Sequence, residues 1–381
     1  MKILLIHNYY MYSGGEDIYL KSLMKLLKKN GHKVILYKKE SKNIITIFDK
    51  FKVAFGLLYN PTIDTELTQL IKKERPDIAH FHNIYPLIGA TAYLACHKAA
   101  LPIVQHIHNY RMVCSKGNLF RSGTICELCP KSKSLIPSVY FGCYHSSRIA
   151  SLIFMIAQTC HKMRNTLGYI DTYISPSLFS LKYLSSTLPP KKNIVYIPNF
   201  VNIIKKNVPA KNSRGGYYLY VGRIVEEKGV EDMILAFTGT GQKLVIIGEG
   251  PLKDKLKKSY GGSPNISFIP FQTSENVYTY IKGCTALIIP SKWYEVAPLV
   301  FIEAFILKKP IIFRLLGGMI EYKTYGFGIQ NKLFTHSLTQ LIKGNSPVPK
   351  VRYTAEKASH FSEKSHYNAV ISLYEKTIKS A

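Results

Sequence analysis

Two carboxylates eight residues apart carry the strongest chemical signal: in Pro290-Ser-Lys-Trp-Tyr-Glu295-Val-Ala-Pro298-Leu-Val-Phe-Ile-Glu303, Glu295 follows the apolar run Ala286–Ile289 and Glu303 lies within a predicted helix. Pro298 suits that helix's first turn, where the N–H that proline lacks would have no intrahelical partner. An anion at such a helix start meets free N–H groups and the positive end of the helix dipole, so Pro298, Leu299 and Val300 join the two acids as candidate ligand contacts. Standing alone, the pair would read as one capping acid and one solvated glutamate. Upstream, Tyr220-Val-Gly222-Arg223-Ile-Val-Glu-Glu-Lys228-Gly229 sets two cations after another apolar run. Arg223 as a planar fork and Lys228 as a point charge can clamp a diphosphate. Gly248-Glu-Gly250-Pro251 is a Gly-rich turn, where backbone can approach a nucleotide closely.

Four of the seven cysteines form a second constellation: Cys114, Cys126-Glu-Leu-Cys129 and Cys143. A Cys-x2-Cys pair flanked by two thiols suits a closed tetrahedral zinc site, with His145 an alternative to Cys143. Such a structural zinc would fold a loop-rich insert over about 111–146. The alternative is four reduced thiols with one chance pair. Cys96, Cys160 and Cys284 read as buried apolar positions. Thiols in a cytosolic chain argue against a disulfide framework.

Short apolar runs alternating with helical patterns must position these groups. Lys2–His7, Lys33–Tyr37, Asp77–His82, Pro102–His108, Asp171–Ser175 and Asn193–Tyr196 read as strands, with Leu20, Leu23, Leu26 and Leu27 at helical spacing between the first two. A polar stretch from Lys205 to Gly216 reads as a linker. The pattern restarts with Tyr217–Val221, Lys243–Ile247, Ile266–Ile269, Ala286–Ile289 and Pro310–Phe313, and closes on an amphipathic helix carrying Tyr367, Val370, Ile371, Leu373 and Tyr374. The expected fold class is therefore α/β: two tandem Rossmann-like, doubly wound domains facing a central cleft, residues 1–204 and 205–362, with a helix over 363–381. Ligands of such sheets sit at the carboxyl ends of the strands.

The 381 residues carry 51 Lys and Arg against 23 Asp and Glu, a net charge of +28, and 46% are apolar, which excludes a mainly disordered or fibrous chain. No apolar run approaches the ~20 residues that span a bilayer. Met1–His7 lacks a cleavage site and reads as a first strand, so a cytoplasmic protein is expected. The steepest basic stretch is Arg111 to Arg164, whose eight cations face Glu127 alone. Such a surplus suits nucleic acid, an anionic membrane surface or a phosphorylated ligand.

As a set, these residues resemble the family 4 (group 1) retaining glycosyltransferases of the GT-B fold, and a subset with a four-cysteine insert. The carriers are Gly14-Gly15-Glu16, His108-Asn-Tyr-Arg111, Ile197-Pro198-Asn199, Gly222-Arg223 with Lys228-Gly229, Gly248-Glu-Gly250-Pro251, Glu295 to Glu303, and Gly317-Gly318 with Glu321. The resemblance implies transfer of a sugar from a nucleotide-diphosphate donor to a hydroxyl acceptor, with Arg223 and Lys228 in place of a catalytic metal. Glu303 would hold the ribose and Glu295 the sugar hydroxyls. Gly14 and Gly15 would let the first loop approach donor phosphates or acceptor, and His108 would contact the sugar near its reacting carbon. His106, His80 and His82, which also end strands, rank behind it. Pro198-Asn199 would mark the crossing between domains, and the last helix would pack back on the first. The acceptor implied is a bacterial surface glycan or a polyprenyl-diphosphate-linked acceptor, the latter at an anionic membrane surface on the cytoplasmic side. Val296-Ala297-Pro298 and Met319-Ile320-Glu321 depart from the family's usual Gly-Phe-Gly and Pro-Glu. A zinc-containing nucleic-acid-binding protein is the competing class, but it leaves Glu295 and Glu303 without a role. A nicotinamide enzyme lacks the third glycine after Gly14-Gly15.

Overall fold

A computed structural model describes residues 1–10, 14–41, 47–186, 188, 193–203, 216–344 and 350–380, with backbone alone for 47–51. The expected linker falls outside them except for Gly216, as does Ser13 before the glycine pair. The chain forms two compact units: Met1–Leu119 with Glu127–Pro198 and Lys364–Ala381, and Phe120–Cys126 with Asn199–Glu363.

Fourteen strands are described: β1 Lys2–Tyr9, β2 Lys33–Glu40, β3 Ile78–Phe81, β4 Ile103–His106, β5 Phe120–Arg121, β6 Thr124–Ile125, β7 Thr172–Ser175, β8 Asn193–Tyr196, β9 Tyr218–Val221, β10 Leu244–Ile247, β11 Ile266–Ile269, β12 Ala286–Ile289, β13 Ile311–Leu315 and β14 Phe327–Gln330. In the first unit, β2-β1-β3-β4-β7-β8 make one parallel sheet. Ile3, Leu4, Leu5 and Ile6 of β1 have no exposed surface, as a strand covered by helices on both faces requires. The strand order reverses between β1 and β3, so the carboxyl ends of these two flank the crevice where such sheets take ligands. The C-terminal helix Glu363–Ser380 belongs to this unit. Its Tyr374 hydroxyl lies 2.6 Å from His80 Nδ1, and His366 Nδ1 donates to the Pro198 carbonyl at 2.8 Å.

In the second unit the order is β11-β10-β9-β12-β13-β14, again parallel throughout. Renumbered within the unit, this is 3-2-1-4-5-6, the dinucleotide-fold order, with its switch point between β9 and β12. Two apolar layers cover the sheet, one around Met233, Phe237 and Leu338 and the other around Phe301, Phe305 and Tyr322. The hairpin β5–β6 clusters with this unit; its turn residues Ser122 and Gly123 both have positive φ, at 49° and 79°, as a two-residue hairpin turn requires.

The chain at the carboxyl ends of β9 and β10 leaves no room for side chains. A Cβ on Gly248, whose φ is 155°, would stand 1.9 Å from the Gly222 carbonyl oxygen. One on Gly14 would meet nothing within 4 Å. Gly248→Ala should therefore cost about 3 kcal/mol of stability while Gly14→Ala stays within about 0.5 kcal/mol, a contrast that chemical denaturation will measure.

Candidate functional site

At the switch point of the second unit, the loops after β9 and β12 are stitched together before any side chain is considered. Lys292 N donates to the Glu227 carbonyl at 2.8 Å, and a Cβ on Gly229 (φ 66°) would stand 2.2 Å from the Pro290 carbonyl oxygen. This contact delivers Lys228 to Glu295. Its Nζ lies 2.6 Å from Glu295 Oε1, which also accepts from the Ser291 hydroxyl at 2.5 Å. Lys228 Nζ further sits 5.1 Å from the centre of the Trp293 ring. Burial would raise the Glu295 carboxyl, but Lys228, with Ser291 and Trp293, holds it below the usual carboxylate range. Gly318 N donates to the Glu295 carbonyl at 2.9 Å, and Asn199 Nδ2 to the Ala297 carbonyl at 3.1 Å.

Arg223 is placed differently. Its side chain is 47% exposed and its ion pair with Glu227 is long, at 3.9 Å, so the guanidinium remains available beside the paired Lys228. The Tyr220 hydroxyl donates to the Arg223 carbonyl at 2.7 Å and fixes the backbone there. Gly250, like Gly248, lies against the β9 loop: its Cβ would stand 2.4 Å from the Ile224 carbonyl oxygen. Pro298 caps the helix Leu299–Ile306 in an extended conformation, and Leu299 and Val300 form its first turn. One turn further in, Glu303 is buried in an otherwise apolar helix, and burial alone raises its carboxyl to about 7. A carboxylic acid so poised gains from any ligand hydroxyl that donates to its ionised form.

Sequence reasoning missed the layer beneath. Arg314 on β13 is buried and donates to Asp232 at 2.7 Å, to the Pro290 carbonyl at 3.1 Å and to Asn331 Oδ1 at 2.8 Å. Lys292 completes the network, 2.8 Å from Asp232. It holds the Pro290–Lys292 turn from below, and only the oddity of an arginine within an apolar strand pointed to it.

In the first unit, five histidines gather at the carboxyl ends of β1, β3 and β4. His82 Nδ1 and His108 Nε2 are 2.9 Å apart, and His106 stacks on His108 with centroids 4.5 Å apart and planes at 13°. His7 Nε2 meets Asp17 Oδ1 at 2.8 Å, while Asp17 Oδ2 accepts from Gly14 N at 3.0 Å and thereby caps the helix Gly15–Lys29. Gly14 and Gly15 thus open a helix whose start is anchored to β1. Burial, with His7 and His80 adding to it, holds His108 well below the usual imidazole range, and burial lowers His80 to about 3. Both rings are neutral at pH 7. Ring nitrogens of His80, His82 and His106 lie within 4.8 Å of one another. The rings lie near-parallel, His82 to His106 at 20° and His80 to His106 at 26°. His108 lines a small pocket with His82, Asn109, Arg111, Met112 and Gln158.

The expected four-thiolate site is corrected. All seven cysteines are thiols outside disulfides, and among the described residues no cysteine joins a group of three metal-ligating atoms. Cys126 ends the segment that clusters with the second unit, whereas Cys114, Cys129 and Cys143 cluster with the first. Separate turns hold them: Cys114 N donates to the Tyr110 carbonyl, Cys143 N to the Ser138 carbonyl, and Cys129 is buried in the short helix Leu128–Ser132. The donor set does not fit zinc as it stands.

Residues 13–205, half of the chain, match the profile of Glycosyltransferase Family 4, and residues 202–336 match that of Glycosyl transferases group 1. The chain belongs to glycosyltransferase family 4. An uncharacterized family relative, a glycosyltransferase of Methanocaldococcus jannaschii, is 23% identical over 86% of this chain and 82% of its own. Sucrose-phosphate synthase of Thermosynechococcus elongatus shares the fold with a TM-score of 0.72 at 15% identity, each chain covered in full. The Anabaena protein HepE, solved with UDP-glucose, superposes with a TM-score of 0.59 at 14% identity over 100% of this chain and 99% of its own. This glycosyltransferase has the GT-B class of fold, two tandem Rossmann-like α/β domains.

The buried acid of the helix Leu299–Ile306 makes a pH prediction. The Glu303 carboxyl, raised to about 7 in the folded glycosyltransferase, binds a proton that the unfolded chain has released, so its contribution to stability falls as pH rises from about 4.5 to 7. Glu303→Gln removes that loss. Its stability gain over wild type should grow from near zero at pH 4.5 to on the order of 3 kcal/mol at pH 8. Paired urea titrations at the two pH values will measure the difference.

Proposed function

We propose that this glycosyltransferase moves a sugar from a nucleotide-diphosphate donor to a hydroxyl acceptor with retention, in the synthesis of a bacterial surface polysaccharide. The observation that carries the reading is the switch-point constellation of the second unit: Lys228 and Glu295 locked together at 2.6 Å, Arg223 open beside them, and Glu303 buried nearby in sequence without a cation of its own. Arg223 and Lys228 take the donor diphosphate and stabilise the charge that builds on it as the glycosidic bond breaks. Two fixed cations serve where other sugar transferases use a metal ion, so catalysis needs none. Glu303 accepts from the ribose hydroxyls, Glu295 orients the sugar, and Gly248 and Gly250 let the backbone come close to the nucleotide. In this reading no carboxylate of the sequence is assigned as a nucleophile. Departure and attack therefore share one face, with the leaving phosphate taking the acceptor proton. The first unit serves the acceptor, and His108, neutral at pH 7, is its candidate catalytic residue. That a structural neighbour was solved with UDP-glucose supports the donor class.

No described helix is long and apolar enough to cross a membrane. The short helix Ile136–Tyr140 nevertheless exposes Ile136 at 65% and Tyr140 at 68%, and the helix Arg148–Met163 exposes Ile149 at 72% and Met163 at 81%, among Lys131, Lys133, Arg148, Lys162 and Arg164 in sequence. Apolar side chains ringed by cations suit peripheral contact with an anionic bilayer, the cytoplasmic face that presents a lipid-linked acceptor.

Nucleoside diphosphates and their sugars should raise the melting temperature of the wild type, with Glu303→Ala abolishing the shift and EDTA leaving it unchanged. Lys228→Ala should lower kcat by about 100-fold. A wild type that no nucleotide stabilises would overturn the donor assignment. Co-sedimentation with phosphatidylglycerol vesicles should fall when Ile149 and Ile156 become Ser, and equal binding by that variant would remove the membrane face from the reading.

A further inference from the structure

Arg111 stands in the first unit without an acidic partner. Its Nη1 donates to the Ser115 carbonyl at 3.0 Å, its guanidinium bonds the Tyr10 hydroxyl and lies 5.9 Å from the ring centres of both Tyr85 and Tyr144, and its buried Nε has no hydrogen-bond partner. Burial pushes the Tyr85 phenol up to about 12 and raises that of Tyr144, so at neutral pH these rings are uncharged and do not neutralise it. The sequence offers nothing closer: Glu127 is the sole acid between Arg111 and Arg164, and it is paired with Lys131 at 3.1 Å. Among the described residues no carboxylate comes within 4.0 Å of Arg111. A cation partly withdrawn from water and not neutralised costs stability unless an anion completes it.

The position of this charge is specific. Arg111 lines the pocket shared with His108, Asn109 and Gln158 at the carboxyl ends of β3 and β4, where sheets of this order take ligands. Its backbone is pinned by Asn109, whose Oδ1 accepts from Arg111 N at 3.0 Å, and Gln158 Nε2 donates to the Tyr85 hydroxyl at 2.8 Å. Tyr144, on the guanidinium's flank, stacks on Phe154 with centroids 4.4 Å apart. Phe154 is on the buried face of the same helix that exposes Ile149, Leu152 and Ile156. A guanidinium in a pocket matches a phosphorylated head, and the opposite, exposed face of the helix that backs Tyr144 offers apolar surface of the kind a lipid-linked ligand would lie against.

We propose that Arg111 is the phosphate-binding residue of the acceptor subsite, taking a phosphate or diphosphate group in the pocket beside His108. This rests on the reading of the first unit as the acceptor's. A planar fork can hold two phosphate oxygens at once, which a lysine cannot reproduce. The ligand chemistry has two sources, a polyprenyl diphosphate headgroup or a water-soluble phosphorylated glycan, and chain length separates them.

The test is run in Arg223→Ala/Lys228→Ala protein, so that the proposed donor cations do not contribute and failure of the donor reading leaves the result interpretable. Inorganic pyrophosphate should bind by calorimetry, and adding Arg111→Met should weaken binding by about tenfold or more, with Arg111→Lys between the two. Geranyl diphosphate binding more tightly than pyrophosphate, both depending on Arg111, supports the lipid source; equal affinities support the soluble one. In case the Met variant fails to fold, phenylglyoxal labelling of otherwise wild-type protein reads the same site: pyrophosphate should protect Arg111 in the peptide mass spectrum. Pyrophosphate binding that is unchanged by Arg111→Met, or labelling of Arg111 that pyrophosphate does not slow, overturns the proposal and leaves the guanidinium as packing for Tyr85 and Tyr144.

Discussion

The Lys228–Glu295 contact is the constraint on which the second unit's chemistry depends. A buried carboxylate is tolerable only when its charge is met by hydrogen bonds and an opposite charge. Glu295 is met by Lys228 and Ser291 together, at 2.6 and 2.5 Å. Because Lys228 comes from the loop after β9 and the other two from the loop after β12, satisfying the acid also fixes the mouth of the switch point. Gly229 permits the approach, and the Arg314–Asp232–Lys292 network supports it from beneath. Arg223 is left with only the long contact to Glu227, so an open guanidinium stands beside an ammonium that Glu295 holds in place with one of its three donors.

Charge is managed by a different rule in the first unit. There three of the polar groups at the strand ends, His80, His82 and His108, are neutral imidazoles within a stacked layer closed by Tyr19 and Tyr374. Desolvation keeps them unprotonated, and near-parallel stacking serves neutral rings where it would oppose charged ones. The layer is a packed polar core with His108 at its edge, in the wall of the pocket. Asp17 belongs to the same economy of groups: one carboxylate caps the helix Gly15–Lys29 and fixes His7.

Much of this was legible in the chain itself. Both sheets follow from β-branched runs bounded by polar and glycine residues, because strands buried on two faces need no alternation to be recognised. Glu295, Lys228 and Gly248 could be singled out since their types are costly where they stand: an acid after a buried strand, a lysine beside glycine, a glycine that no other residue replaces. Arg314 and Asp232 were not, for their partners are 82 residues apart in sequence and no local pattern links them. The histidines were seen as strand ends, but their mutual stacking is set by the register of β3 against β4, which sequence does not print. The cysteine spacing misled because Cys-x2-Cys fixes only two ligands, and Cys114 and Cys143 are held by turns of their own.

The helix Glu363–Ser380 carries a consequence for how the protein is made. Its Tyr374, His366 and Thr377 pack onto β3, the segment at Pro198 and β7, so the first unit is built from two stretches of chain that synthesis separates by the whole second unit. While the ribosome is still adding the final helix, the second unit has all of its sheet and can close its own core. The first must wait with His80 and Tyr19 uncovered on their C-terminal side. Emerging order and folding order therefore run in opposite directions, and the histidine layer is the last part of the molecule to lose contact with water.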